Sequence, residues 1–177
     1  MKQIRVTIEG VSALLMHAFP MVPVEALEKK SIEDQAECAA YRDAETKRLY
    51  IPALNLQRSF ISGATYSKGK GRGSLQKNAA ACLSIGPTDR LDLGIERYVI
   101  DSRPVVVPAT KGRVLRHRPK VPSWRVTFEV QYDELLLSAA QVRRIIDDTG
   151  SRVGVLDFRP EKKGPFGRFI VTHWDNA

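Results

Sequence analysis

The chain has 177 residues, 43% of them apolar, and carries a formal net charge of +8. That length suffices for one domain with a real core, and the composition excludes a disordered chain. An excess of cations this large points to an anionic partner, most often nucleic acid, as against a charge balance that serves solubility alone. No apolar run is long enough to span a bilayer. Cys38 and Cys82 are too few for a disulfide framework or a zinc site, so free thiols are expected. Met1 to Val6 runs straight into strand-like alternation without a signal-peptide core, and a cytoplasmic protein is expected.

From Gln3 to Gly10, Ile4, Val6 and Ile8 alternate with Arg5, Thr7 and Glu9, the period of a strand with one face in a core. Val11 to Pro20 stays apolar but loses the alternation, as a strand end running into a loop would. Residues 25–47 hold much of the acid; Ser31 can cap a short helix there, and a peripheral helical insertion is expected, mobile on its own. Arg48–Pro52 reads as a short strand. Pro52 then opens a helix, Ala53–Tyr66, with Leu54, Phe60 and Ile61 at helical spacing. Residues 67–74 alternate glycine with Lys68, Lys70 and Arg72 and predict a flexible basic loop that orders only on a ligand.

Leu75–Leu83 returns to helix. Tyr98–Asp101 and Val105–Pro108 are strand-like, and residues 108–122 hold the densest basic run, Lys111, Arg113, Arg116, His117, Arg118 and Lys120, read as a hairpin or long loop. Ser123–Tyr132 alternates as a clear strand. Ser138 caps an amphipathic helix for which Gly150 supplies a left-handed stop. An apolar run, Val153–Phe158, leads to a glycine-punctuated loop with Arg159, Lys162, Lys163, Phe166 and Arg168, and a final strand runs from Phe169 to Trp174. Strand, helix, strands, strand, helix, strand is the βαββαβ order of an α+β, ferredoxin-like or RRM-like domain spanning 1–177.

Several chemistries lack their motifs. Three scattered histidines and two lone cysteines make no metal cluster, and no cofactor is expected. The Gly-Lys-Gly-Arg-Gly piece lacks the Gly-Lys-Ser/Thr ending of a Walker loop, and no nucleophile elbow occurs. What remains is three basic loops that can line a phosphate track: Lys68, Lys70, Arg72 and Lys77; Lys111, Arg113, Arg116, Arg118 and Lys120; and Arg159, Lys162, Lys163 and Arg168. Tyr66, Phe158, Phe166 and Phe169 are candidate stacking rings or core residues, with Phe166 at the loop tip. His17, after Leu14-Leu15-Met16, is either structural or a general base for a ribose 2′-hydroxyl.

Three segments carry a family resemblance. Leu49-Tyr-Ile-Pro-Ala-Leu-Asn-Leu-Gln-Arg-Ser-Phe60, Gly154-Val-Leu-Asp-Phe-Arg-Pro-Glu-Lys-Lys-Gly-Pro-Phe-Gly-Arg-Phe169 and the first strand ending in Leu14-Leu-Met-His17 resemble the RAMP superfamily, the RRM-like CRISPR-associated proteins. The chain is most similar to their guide-RNA backbone subunits. It is shorter than those, and its last loop has fewer glycines, as in a compact stand-alone relative. The resemblance implies sequence-tolerant binding of single-stranded RNA, often in a head-to-tail filament or with other ribonucleoprotein subunits.

The sequence thus leads to a single-stranded nucleic-acid-binding protein, RNA or DNA, without catalysis and without a membrane. The alternatives are a metal-independent endoribonuclease using His17 with Lys162 or Lys163, and a basic protein-interaction module.

Overall fold

The computed structural model describes residues 1–69, 73–106 and 110–176. Lys70 and Arg72, and with them the centre of the 67–74 loop, lie outside the described residues, as does Pro108. The elements in chain order are β1 (Lys2–Gly10), β2 (Leu14–Leu15), α1 (Val24–Glu28), α2 (Ile32–Cys38), β3 (Tyr50–Pro52), α3 (Ala53–Gly63), α4 (Gln76–Cys82), β4 (Ser84–Gly86), β5 (Arg90–Asp92), β6 (Val99–Val106), β7 (Arg113–Val121), β8 (Arg125–Tyr132), α5 (Ala139–Asp148) and β9 (Phe169–Asn176). The architecture is mixed α+β with antiparallel sheets.

The main sheet has the order β4-β8-β1-β9, every neighbour antiparallel. In chain order its strands therefore lie second, third, first, fourth. Helices α3 and α4 fall between the first and second strands, and α5 between the third and fourth. Ile4, Val6 and Ile8 of β1 and Val126, Phe128 and Val130 of β8 join one core with Leu56 and Phe60 of α3 and Val142, Ile145 and Ile146 of α5. Full burial of each such side chain contributes roughly 1.5–3 kcal/mol. Ser138 caps α5 as its sequence predicts: Gln141 N donates to Ser138 Oγ at 3.3 Å, and Ser138 N donates to Gln141 Oε1 at 2.9 Å.

The end of α5 differs from the expectation. The helix does not stop at a left-handed Gly150. It runs on as a π turn, Thr149–Val153, and the left-handed residue is Gly154, at φ +74°. Gly150 is needed for a different reason: a side chain there would strike Phe169 on β9. A close approach and a helix stop both select glycine, and composition does not separate them.

β6 and β7 form one long antiparallel hairpin, with β2 on the other edge of β7. The two strand-like pieces before Pro108 are thus one strand, and the basic run lies on its partner strand. β3 pairs with β5 in a small sheet, and β4, which no alternation announces, follows α4 directly. The acidic stretch is fastened to the body: α2 packs on β7, Glu37 pairs with Arg42 and accepts from Tyr98 Oη at 2.8 Å, and Ala18 N donates to Ala39 O at 2.8 Å.

Candidate nucleic-acid interface

The last loop is held in an uncommon backbone. Leu156 and Phe158, on either side of Asp157, have φ of +61° and +45°, and Lys163 has +61°. Left-handed conformations outside glycine cost on the order of 1–3 kcal/mol each, and something must impose them. The chain around 13–15 does so: Asp157 N donates to Leu15 O at 3.0 Å and Gly167 N to Ala13 O at 2.9 Å. Arg159 Nη1 adds a bond to Leu156 O at 2.7 Å. The net result is that Asp157 is set opposite the end of β2, where His17 follows.

His17 Nδ1 lies 3.3 Å from Asp157 Oδ2. The same oxygen accepts from Arg118 Nη1 on β7, whose side chain is only 7% exposed. Burial raises the Asp157 carboxyl, but the His17 hydrogen bond and the Arg118 charge outweigh it and hold the group down to about 2. Asp157 is thus an anion at every ordinary pH, able to orient the His17 ring. Tyr41 Oη donates to His17 O at 3.4 Å and accepts from Asn55 Nδ2 at 3.3 Å, and burial raises the tyrosine, so its hydroxyl keeps its proton.

His17, Asp157, Tyr41 and Asn55 line a cavity of about 300 Å³, together with Arg58 from α3 and Arg159. A second groove of about 440 Å³ shares Asp157 and Arg159 with it and adds Arg103, Phe158 and Lys162. Cations from α3, β6, β7 and the last loop therefore meet around one partly buried carboxylate. Arg58 and Lys162 are exposed and form no ion pair among the described residues. No group of three or more His, Cys, Asp or Glu residues among the described residues is placed to hold a metal ion.

The predicted residues separate into three places. Arg159 lines both cavities, the first together with His17 and the second together with Arg118 and Lys162. Arg116, Arg118 and Lys120 share one side of β7 by their spacing, while Arg113 and the exposed Lys111 extend along the hairpin, Arg113 roughly 17 Å from Arg118 at 3.3–3.4 Å per residue. Lys163 is exposed on the loop, and Arg168 is exposed where its N–H meets Ser12 Oγ at 3.0 Å. Lys68 and Lys77 stand apart from this cluster. Lys68 follows the C-terminal end of α3, where Ser67 Oγ donates to Asp148 Oδ2 at 2.9 Å, and Lys77 lies not on a loop but in the first turn of α4, whereas Asn55 and Arg58 sit in the first two turns of α3. At 1.5 Å per residue, Asn55 and Arg58 in the His17 cavity lie roughly 12 and 8 Å along the axis from the end of α3 that Lys68 follows.

Phe166 is not an exposed loop tip. It is 6% exposed, its ring centroid 6.1 Å from that of Phe158, with the Arg103 guanidinium 4.8 Å above it. A base cannot stack on it without displacing Arg103 or Phe158. Phe169 is a core residue, edge-on to Trp124 and Phe60. Tyr66 is half exposed, with Arg152 at 5.1 Å from its ring centre. The sheet face away from the helices presents Arg5, Thr7 and Glu9 opposite Glu129, Thr127 and Arg125 on β8 and opposite Asp175, His173 and Ile170 on β9, a mixed set in which the exposed His173 imidazole is the ring beside β1.

Asp157, Arg58, Tyr41 and Asn55 escaped the sequence reading. Asp157 lies inside an apolar run, and a lone carboxylate there was the one available signal. Arg58 and Asn55 sit on a helix read only for its core face. No protein-family model matches the chain, and no curated protein matches it in sequence.

Proposed function

We propose that this chain binds single-stranded nucleic acid, RNA in preference, along the cations that surround the His17–Asp157 pair. The observation that carries the reading is the meeting of Arg58, Arg118, Arg159 and Lys162, from three separate parts of the chain, at two adjoining cavities. The strand order of the main sheet, with one helical segment in each crossover, supports a ferredoxin-like βαββαβ core. That core in turn supports the RAMP-type reading, with assembly into a ribonucleoprotein or filament as its extension. With His173 as the ring beside β1 on the open sheet face, the sheet offers less stacking surface than the paired aromatic rings of an RRM, which favours a path over the edge loops. Labelled single strands and duplexes of equal length, titrated at rising salt, test the proposal. Single strands should bind more tightly, with affinity falling as salt is added. Equal or absent binding sinks it.

The His17–Asp157 pair favours one second reading, metal-independent RNA cleavage. Asp157 would hold Nδ1, and Nε2 would take the proton of a ribose 2′-hydroxyl. The 2′-oxygen then bonds to phosphorus, the bond to the 5′-oxygen breaks, and water protonates the leaving oxygen. Arg58 and Arg159 share the His17 cavity and are better placed to steady the charge than Lys162 or Lys163. Incubation of RNA in chelator, with the wild type and His17→Ala, separates this reading from binding alone.

A further inference from the structure

Arg103, on β6, is fixed on two sides. Its Nε and Nη2 donate to the two carboxylate oxygens of Asp101 at 2.6 and 2.9 Å. Asp101 is itself buried, so the fork is held in one geometry and its charge is balanced. The guanidinium carbon lies 4.8 Å from the ring centroid of Phe166 and 5.8 Å from that of Phe158. The two centroids are only 6.1 Å apart. Rings on opposite faces of the guanidinium would stand nearly as far apart as those two distances together, so both rings lie to one side of it. One edge is thus closed by Asp101 and one side by the rings. The side chain is nevertheless 38% exposed, and it lines the second groove. What it leaves open is the side turned away from the rings. Pro104, Val105 and the half-exposed Val106 continue that wall, and the exposed Lys162 stands in the same groove.

We infer that the open side of Arg103 is a stacking platform for one base of the bound strand, with Lys162 meeting a phosphate beside it. The inference rests on the single-strand reading above and assigns the parts of the strand within the second groove. Two observations separate a base from a phosphate at Arg103. The fork that would grip a phosphate in two places already grips Asp101, and the carboxylate balances the charge. The neighbours on the groove wall are apolar, which suits a ring and not an anion. Bases stack on arginine planes as they do on aromatic side chains, and the rings beneath this plane keep it from turning. Stacking uses the face that every base has, so the platform holds the strand without reading its sequence. The burial of Phe166 acquires a role in this arrangement: the ring supports the platform and does not itself meet the base.

The test uses the full chain, an oligouridylate of about nine nucleotides and an abasic ribose-phosphate chain of the same length. The oligouridylate should bind about tenfold more tightly, and the salt slopes of the two should agree, because they carry the same phosphates. Arg103→Lys keeps the charge and loses the plane. It should bind both chains alike, near the affinity of the wild type for the abasic chain. The Nε–H of Arg103, held on Asp101, gives a second reading by NMR on the wild type alone, so the test stands even if the variant folds poorly. A base stacked on the guanidinium should shift that signal, whereas the abasic chain should leave it in place. Equal wild-type affinity for the two chains, a base preference that survives in Arg103→Lys, or an Nε–H that responds alike to both overturns the platform and leaves the single-strand reading standing. Absence of binding to either chain overturns both.

Discussion

His17 Nδ1 stands 3.3 Å from Asp157 Oδ2, although 140 positions separate the two residues in the chain. The pair exists because β2 supplies the carbonyl of Leu15 to the Asp157 N–H and fixes the last loop in a left-handed path. The same carboxylate neutralises the buried Arg118. It therefore joins the stability of the loop to the geometry of the site.

The first prediction concerns acid. The Asp157 carboxyl is held near 2 in the folded chain, against 3.8 for the free group. A folded value below the unfolded one gives stabilisation that is whole above about pH 4 and is lost as pH falls toward 2. The difference is worth roughly 2 kcal/mol. Asp157→Asn should lower neutral-pH stability by about that amount and flatten this part of the pH profile, measured by urea unfolding. Asp43, also held to about 2, by the Thr46 N–H and Arg90, should leave its own share of the acid slope in place. A profile unchanged in Asp157→Asn would show that the pair does not stabilise the fold.

Gly154 should tolerate no side chain. At φ +74° and ψ −178° its backbone is in a region that L residues rarely adopt, and a Cβ would come within 2.8 Å of Pro160 and 2.9 Å of Arg159. Gly154→Ala should cost at least about 2 kcal/mol in thermal or urea unfolding. Gly73, whose Cβ would meet nothing, is the control: Gly73→Ala should change stability by no more than about 0.5 kcal/mol. Equal effects at the two positions would contradict the account of the loop.

The sequence carried the architecture further than the site. Alternation in β1 and β8 and the Ser138 cap were read from residue type and spacing, because both depend on local rules. The strand β4 was not, since three residues of Ser-Ile-Gly have no period of their own and pair only because β8 offers an edge. The cations of the last loop were legible as charge. The left-handed path at Leu156 and Phe158 was not, because no glycine marks it and β2 imposes it from a distance. Phe166 illustrates the same limit: proline and glycine on either side suggest a tip, yet Arg103 and Phe158 enclose the ring.

Position should decide which cations matter for a short strand. An oligomer that fills only the His17 cavities should bind Lys68→Ala/Lys77→Ala almost as well as wild type, since those lysines follow the far end of α3 and line neither cavity. A strand long enough to cover α3 should lose affinity with the double variant. Fluorescence anisotropy with two oligomer lengths checks this, and equal losses at both lengths would place the loop beside the site after all.

His17→Ala separates binding from cleavage. Under the binding account RNA stays intact in chelator with either protein, and affinity changes by less than about fivefold, since Asp157 keeps Arg118 as its counter-ion. Cleavage by the wild type that vanishes in His17→Ala would promote the second reading, with Arg58 and Arg159 as the groups to change next.

Arg58 and Lys162, exposed and without ion pairs among the described residues, should meet phosphates of a single strand. The direct measurement is the salt slope of single-stranded RNA binding for the wild type and for Arg58→Ala/Lys162→Ala. Each phosphate contact on a single strand contributes about 0.7 to the slope of log K against log salt. The double variant should therefore lower the slope by roughly 1.4, with folding stability changed by no more than about 0.5 kcal/mol per exposed site. A wild-type affinity that does not respond to salt, or a slope that the double variant leaves unchanged, would contradict the account.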